Sequence, residues 1–440
     1  MDSRVVPSKK TANPSKEMPT SALLQLVARG RQDAYLTSNP QFTYFKHVYR
    51  RYTPFAMESI PIDFDGNTDF GRRITTLIPR YADLITSLYI EIDLPPIPQP
   101  DPSNPSIYWV NDTACALIHD VSVEIGEREI DKHTGEWLNI WAELTVPKGK
   151  RAGYNEMVGH WDVYPPAGID ATSTLKLAIP LRFWFCNTIG AALPLIALQA
   201  HPVRIIMHLR PFQEMWWSAE LPPAPGQPCP SIPAVSISRF QMFGDYIYLD
   251  KEERQRFAAA DHEYLIDQLQ ISPVQSITAG ISQISMPLYY NHCCKEFIWV
   301  IQETRMAAAR EWFNYSSALQ NNGGEPGVAT EDLLNTAILR LDGQDRFYIR
   351  NAQYFRLTQP YRFHTNVPTP PVYIYLYSFS LKPEDEQPSG SLNCSKIDDI
   401  NMALTFNPNE LTQDRVVQMY ATNYNVLRVV GGLGGLAFIA

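Results

Sequence analysis

The sequence predicts an all-β protein of two similar halves, and three observations carry that reading. Pro makes up 36 of 440 residues, above the usual share of about 5%. Pro breaks helices and interrupts central strands, so the excess favours many strands joined by stiff loops. Apolar residues are 45% and aromatics 12% of the chain, enough for large cores and too many for a disordered chain. The length corresponds to about three average domains, or two β domains of about 200 residues. A similar series of elements also occurs twice.

From the N-terminus, residues 1–20 mix Lys, Ser, Pro and Thr and read as a mobile arm. Residues 21–50 hold short helical turns, with Leu24, Leu26 and Val27 on an apolar face and Asn39-Pro40 as the breaker. From Phe55 onward strand patterns dominate: Ile74–Leu77, Leu88–Ile92 and Val121–Ile125, the last turning at Gly126-Glu127 into Arg128–Ile130. Residues 95–105 (PPIPQPDPSNP) read as an exposed, stiff loop. A strand over Tyr246–Leu249 leads into a helix over Lys251–Asp261, with Asp250 as N-cap and Glu253 completing a capping box. Fresh strands follow, so the helix reads as a linker between halves. The expected divisions are an arm at 1–50, a first half at 51–250, the linker at 251–261 and a second half at 262–440.

The repeat is ordered but not strictly periodic. VEIGEREI around Gly126 matches RLDGQDRF around Gly343, each a strand, a Gly turn and a charged return strand. LRFWF at Leu181–Phe185 is paired with VYIYLYSF at Val372–Phe379, both expected as strands. VRIIMHL at Val203–Leu209 then corresponds to INMALTF at Ile400–Phe406.

Chemistry is sparse. There is no G-x-S-x-G elbow, P-loop, G-x-G-x-x-G or H-E-x-x-H. The nine His contain no H-x-H pair of the kind a β-barrel metal enzyme uses. Asp131-Lys132-His133 and Asp261-His262-Glu263 are adjacent triplets whose members alternate faces on a strand, so structural hydrogen bonding is the plainer reading. His292-Cys293-Cys294 lacks the spacing of zinc ligands. Six Cys without a C-x-x-C pair read as free thiols. No catalytic residue, cofactor or metal is expected. Three sequons, at Asn111, Asn314 and Asn393, are formal glycan acceptors and read as chance occurrences. The closing Gly431-Gly432-Leu433-Gly434-Gly435-Leu436 lacks the Lys of a phosphate loop and reads as close backbone packing.

No signal-peptide pattern and no run of about 18 apolar residues is present, which gives the expectation of a soluble protein of the cytoplasm. Residues 1–51 carry nine Lys/Arg and three acids, +6, so the remainder sums to −15 within a net −9. A basic head on an acidic body suggests a face that meets phosphate, lipid headgroups or acidic partners; a solvated tail is the alternative. The spacing is too sparse for a nucleic-acid patch, and no direct nucleic-acid partner is expected.

One long stretch, LLQLVARGRQDAYLTSNPQFTYFKHVYRRYTPFAMESI at Leu23–Ile60, resembles the N-terminal signature of the major capsid proteins of nucleocytoplasmic large DNA viruses. Similar blocks follow at Phe70–Ile85, Asp120–His133, Ala192–Gln199, Asp245–Gln270, Leu341–Phe347, Tyr375–Gly390 and Asn423–Phe438. The leader before Met18 and the intervening loops depart from the pattern. The resemblance implies two tandem eight-stranded jelly rolls with a short helical linker and an N-terminal arm, in homotrimers that form pseudo-hexagonal capsomers of an icosahedral shell. It implies neighbouring capsomers, minor capsid proteins or an internal viral membrane as partners, and a virion protein assembled in the host cytoplasm. Arg4, Lys9, Lys10 and Lys16 would then lie at the inner face, and the Pro-rich loops at 95–105 and 221–233 in an outer tower. The alternative is a tandem jelly-roll carbohydrate-binding or host-attachment protein, with Trp216, Trp217, Trp312 and Tyr315 stacking on sugars.

Overall fold

The computed structural model describes residues 20–99, 106–161, 173–218, 232–319, 332–370 and 372–439. Residues 20–53 form one unit and residues 54–440 a second. In the second unit the eight principal strands of the first half, apart from the short pair Ile107–Trp109 and Trp216–Ser218, are β1 Phe55–Ile62, β2 Arg73–Leu77, β3 Leu84–Leu94, β4 Ile118–Ile125, β5 Arg128–Thr134, β6 Leu175–Pro180, β7 Val203–Leu209 and β8 Arg239–Leu249. After the Lys251–Ala259 helix the eight principal strands, apart from short ones at Gln275–Ile277, Arg350–Asn351, Leu392–Asn393 and Leu433–Leu436, are β9 His262–Ile271, β10 Gln283–Pro287, β11 Cys293–Glu303, β12 Leu334–Leu341, β13 Gln344–Asp345, β14 Ile374–Ser378, β15 Ile400–Phe406 and β16 Arg415–Val430.

The first eight make two sheets, ordered β1-β8-β3-β6 and β2-β7-β4-β5, and the second eight make β9-β16-β11-β14 and β10-β15-β12-β13. Adding eight to each label turns the first pair of sheets into the second. Every pairing is antiparallel. The first and last strands of each half lie side by side in a four-strand order, which is the jelly roll. The expected fold is therefore present, and the repeat is topological. Its corresponding hairpins, β4–β5 and β12–β13, turn at Gly126-Glu127 and Asp342-Gly343, with Ile125 opposite Arg128 and Leu341 opposite Gln344. Both Gly have φ in the left-handed region, +61° and +75°, which a Cβ disfavours.

Strand β3 shows how the sequence aims its side chains. Leu88, Ile90, Ile92 and Leu94 are buried in the first core while Ser87, Tyr89, Glu91 and Asp93 between them are half-buried, the period of two that a pleated strand imposes. LRFWF is the exception to the expected strands. The strand ends at Pro180, and Trp184–Asn187 is a helical turn. Phe183, Trp184 and Phe185 are all buried, and three consecutive buried residues suit a turn inside a core better than a strand with two faces. The Pro-rich loop is also less exposed than expected: Ile97 belongs to the first core, and the Gln99 side chain brackets the backbone of Ile107. Asp250 stands at the N-cap of the linker helix, but its side chain makes no cap bond. The helix is tied down instead by Arg254, 3.0 Å from the buried Asp83, and by Phe257 against Leu84 and Ile247.

The element that joins the halves was not expected from the sequence. Thr134 accepts a hydrogen bond from the backbone N–H of Trp137 and caps a helix at Gly135–Thr145. Trp137, Ile140 and Leu144 belong to the core of the second roll, with Trp141 packed against it, while Leu138 and Ala142 belong to the core of the first. Positions i, i+3, i+4 and i+7 thus face one roll and the intervening apolar positions the other. The Trp137 ring sits 5.3 Å from Tyr420 on β16. The first core in turn includes Ile266, Phe313, Leu427 and Val429 of the second half.

Polar contacts lock the same junction. Asp131 accepts from the Leu269 N–H at 3.0 Å and lies 3.0 Å from His133; the Gln268 amide donates to the Ile130 carbonyl. Trp312 Nε1 donates to the Glu214 carbonyl, Arg210 covers the Trp312 ring at 4.2 Å, and Arg310 covers Trp216 at 3.8 Å. Gly431 and Gly432, both with positive φ, turn β16 into the strand Leu433–Leu436. A Cβ on Gly434 would come within 2.6 Å of Leu198 and 2.9 Å of Ile125, so Gly434 serves the close packing expected of this segment, while Gly431 and Gly435 have open space around them.

Inside the second roll a charged trio is largely buried, with Glu384 at its half-open end. His364 lies between Glu296 at 2.8 Å and Glu384 at 2.9 Å, with no side-chain exposure at His364 or Glu296. Burial opposes the charged ring, but the two carboxylates outweigh it and raise the imidazole to about 9. Burial likewise works against ionised Glu384, yet bonds from His364 and Thr365 hold it below its ordinary value.

Two outcomes follow from this packing. Trp137→Ala removes an aromatic that closes the second core and is expected to cost about 3–5 kcal/mol, read as a lowered midpoint in chemical denaturation. Trp137→Phe should recover most of it. For the trio, a raised folded pKa stabilises fully below the unfolded value of 6.5 and is lost as pH rises through about 9. The loss is on the order of 3 kcal/mol. Unfolding midpoints measured from pH 6 to 10 should fall on that limb, and the His364→Gln variant should show a flatter one.

Candidate functional site

The arm is the first candidate surface. Residues 20–53 contain helices at Thr20–Val27 and Arg31–Thr37, with Gly30 N–H bonded to Asp33 at 2.9 Å. Asn39 takes a positive φ before Pro40, where the break was expected. Leu24, Leu26 and Val27 are exposed, as are Tyr35, Leu36, Phe42, Tyr44, Phe45, Val48, Tyr49 and Tyr52. Phe45 is 98% exposed. So much open apolar surface marks an interaction segment. Arg29, Arg31, Lys46, Arg50 and Arg51 lie in the same unit. Arg4, Lys9, Lys10 and Lys16, expected at an inner face, fall outside the described residues, as do residues 100–105 and 221–231 of the two Pro-rich loops.

The three sequon asparagines differ. Asn111 donates to the Trp161 carbonyl at 3.0 Å and accepts from its N–H at 2.7 Å. Asn314 is buried, its amide nitrogen held by Glu311 and the Ala318 carbonyl. Both amide nitrogens are committed to the fold. Asn393 alone is exposed. The triplets act structurally: His133 stacks on Phe183 at 4.8 Å, His262 meets the Phe257 carbonyl at 2.7 Å, and Glu263 pairs with Arg428 at 2.7 Å. His292 takes a positive φ, and Cys294 is buried beneath it. Among the described residues no cluster of three His, Cys, Asp or Glu has metal-binding geometry. Cys115, Cys186, Cys293, Cys294 and Cys394 are free thiols, and burial pushes Cys186 up to about 12. No helix among the described residues is long and apolar enough to cross a membrane.

The aromatics proposed for sugar stacking do not form a platform. Trp216, Trp217 and Tyr315 are buried in the fold, and Trp312 carries Arg210 on its ring. Trp216 and Trp312 are taken up by contacts between the rolls, and Trp217 and Tyr315 by the cores of their own rolls.

Beside that junction lies a cleft of about 420 Å³, whose walls come from both rolls. His160 pairs with Asp112 at 3.0 Å, and Arg151 pairs with Glu143. Burial works against a charged His160, but Asp112 outweighs it and raises the ring to about 8. Burial also pushes the Glu143 carboxyl up, against the pull of Arg151. The helices that carry Glu143 and Arg151 were missed from the sequence, although Trp137, Ile140, Trp141 and Leu144 have helical spacing after a Thr cap.

Comparison with known proteins agrees with this architecture. Residues 43–250 match the family described as major capsid protein N-terminus, and residues 253–435 match the large eukaryotic DNA virus major capsid protein family. The chain is 39% identical to the major capsid protein of Pyramimonas orientalis virus, over 94% of this chain and 98% of that one. It is 36% identical to the major capsid protein of Phaeocystis pouchetii virus, over 94% and 99%. The crystal structure of PBCV-1 VP54 superposes with a TM-score of 0.76 at 31% identity, covering 90% of this chain and all of that one. The Faustovirus major capsid protein shares the fold, with a TM-score of 0.70 at 11% identity. These families are structural proteins and not enzymes. With two jelly rolls of equal topology, a shared junction and matches along almost its whole length, the chain belongs to the major capsid proteins of large DNA viruses.

Proposed function

We propose that the chain trimerises into pseudo-hexagonal capsomers that tile an icosahedral shell. The observation that carries this is the pairing of two rolls of one topology into a single body through the Gly135–Thr145 helix. Three such bodies about a three-fold axis present six similar wedges to their surroundings. Each subunit meets the next with different surfaces, and ring closure stops growth at three. The functional divisions are the arm at 1–50, rolls at 51–250 and 262–440, and the linker at 251–261.

The open apolar and basic surface of the arm supports a role in assembly. Arg4, Lys9, Lys10 and Lys16 would extend its basic character at the inner face, towards minor capsid proteins or an internal viral membrane. The loops at 95–105 and 221–233 would rise at the opposite end, and assembly would take place in the host cytoplasm.

Size exclusion with light scattering should give a species of about 150 kDa, three times the 50.0 kDa chain. Negative stain at high concentration should show hexagonal arrays. A stable monomer that forms no arrays would overturn the proposal. Deleting residues 2–53 should leave the unfolding midpoint of the body near that of the full chain, because the body is a compact unit of its own. The same deletion should abolish array formation.

A further inference from the structure

The second roll brings together two cysteines that are 100 residues apart in sequence. Cys294 lies on β11 and is fully buried, and Cys394, 2% exposed, opens the helical turn Cys394–Lys396. Both belong to the second core. The short strand Leu392–Asn393 runs antiparallel to β11, with Cys293 opposite Asn393 and Cys294 opposite Leu392. Residues two apart on a strand share a face, which sets Cys394 diagonally across from Cys294. Where Cys394 leaves the strand for its turn, the two thiols come within hydrogen-bond contact of each other. The backbone holds them there. The Cys394 N–H donates to the His292 carbonyl at 2.9 Å, and the His292 N–H donates to the Ser395 hydroxyl at 2.8 Å.

Contact with Cys394, and then burial, push the Cys294 thiol far above its ordinary value. Only a thiolate attacks a disulfide, so the pair is inert while the strand is closed. The Leu392–Asn393 strand has just two residues in register with β11, and Asn393 is exposed. Short, exposed pairings of this kind open locally without unfolding the rest of a domain. We propose that Cys294 and Cys394 form an intramolecular disulfide when the chain meets a small-molecule disulfide as oxidant. With the strand open, the Cys394 thiol loses its proton and its sulfur attacks one sulfur of the oxidant, whose other half leaves as a thiol. The Cys294 thiolate then attacks the Cys394 sulfur of the mixed disulfide and expels the remaining half. The two protein thiols lose two hydrogens in all, and the oxidant is reduced to two thiols. The bond ties β11, an interior strand of its sheet, to the segment before β15, and the closed loop contains β12, β13 and β14. A cross-link over so long a loop restricts the unfolded chain and so stabilises the roll. Cys293 faces the opposite side of β11 and takes no part.

The test uses the full-length protein, purified in reductant, freed of it and incubated with oxidised glutathione at mildly alkaline pH. Thiol titration in denaturant should then find two fewer thiols than the six of the reduced chain. Mass spectrometry of a non-reduced digest should join the peptides of Cys294 and Cys394. The unfolding midpoint of the oxidised chain should rise by a few degrees and return on addition of dithiothreitol. Cys394→Ser should lose the bond and the rise together, while Cys293→Ser should keep both. Six remaining thiols would overturn the proposal, as would a stable glutathione adduct in place of the bond, or a bond joining any other pair. The mass measurement on the unsubstituted chain decides the matter even if a variant does not fold. No assembled shell is needed, so failure here leaves the capsomer reading standing, and failure to form arrays leaves this one standing.

Discussion

The structure depends on one constraint: the Gly135–Thr145 helix is buried on two sides by two different cores. A jelly roll is closed on itself and has no need of a neighbour, and two rolls on a short linker would ordinarily move independently. Here Trp137, Ile140 and Leu144 are part of the second core and Leu138 and Ala142 part of the first. Separating the rolls would expose one face of this helix to water, along with Ile266, Phe313, Leu427 and Val429 from the other side. At about 25 cal/mol per Å² of apolar surface, the exposure of so many side chains far outweighs the freedom gained by a loose linker. The exposed Lys251–Ala259 helix therefore connects the rolls without having to orient them.

Orientation comes from polar groups at the same seam. Apolar packing tolerates small slides, whereas the bonds of Asp131 to Leu269 N–H, Trp312 to the Glu214 carbonyl and Gln268 to the Ile130 carbonyl do not. Each would leave a part-buried group without its partner if the rolls shifted, at a cost of up to about 1–3 kcal/mol. The Lys295–Asp267 pair at 2.8 Å and the His364 trio do the same work within the second roll. Buried ion pairs add little net stability over well-packed apolar groups, but breaking one is costly. Their effect is to fix the packing inside the second roll, while the bonds at the seam make one arrangement of the two rolls much better than its neighbours. A shell built from many copies needs that property more than it needs extra stability.

What was legible in the sequence divides along local and non-local lines. Strands with a period of two, such as Leu88–Ile92 and Val203–Leu209, and turns requiring positive φ, such as Gly126 and Gly343, announce themselves because their signals lie within a few residues. The repeat was readable for the same reason. LRFWF was misread because its aromatics look strand-like while Pro180 had already ended the strand and all three rings are buried. The Thr134-capped helix was missed although its apolar spacing is helical, since two of its faces are apolar and the polar stripe of Glu136, Asn139 and Glu143 is narrow. The cleft was invisible: Asp112, Asn139 and Asn155 come from the first half, and Arg310, far off in sequence, reaches them only through the seam.

The division of labour between body and arm follows from burial. Residues 54–440 hold both cores, while the arm leaves Tyr35, Phe42, Tyr44, Phe45, Tyr49 and Tyr52 in solvent. A segment with this many open aromatics gains nothing from folding alone, because it has no core to bury them in. Its free energy is released only against another surface, and its positive charge favours an acidic one over the arm of another copy. Folding and assembly thus draw on separate stretches of the chain. The body reaches its final shape through the seam between rolls, and in the proposed capsomer the arm would keep its apolar surface open until a partner covers it. In the proposed capsomer, that separation lets a rigid tile form first and be joined to its neighbours afterwards.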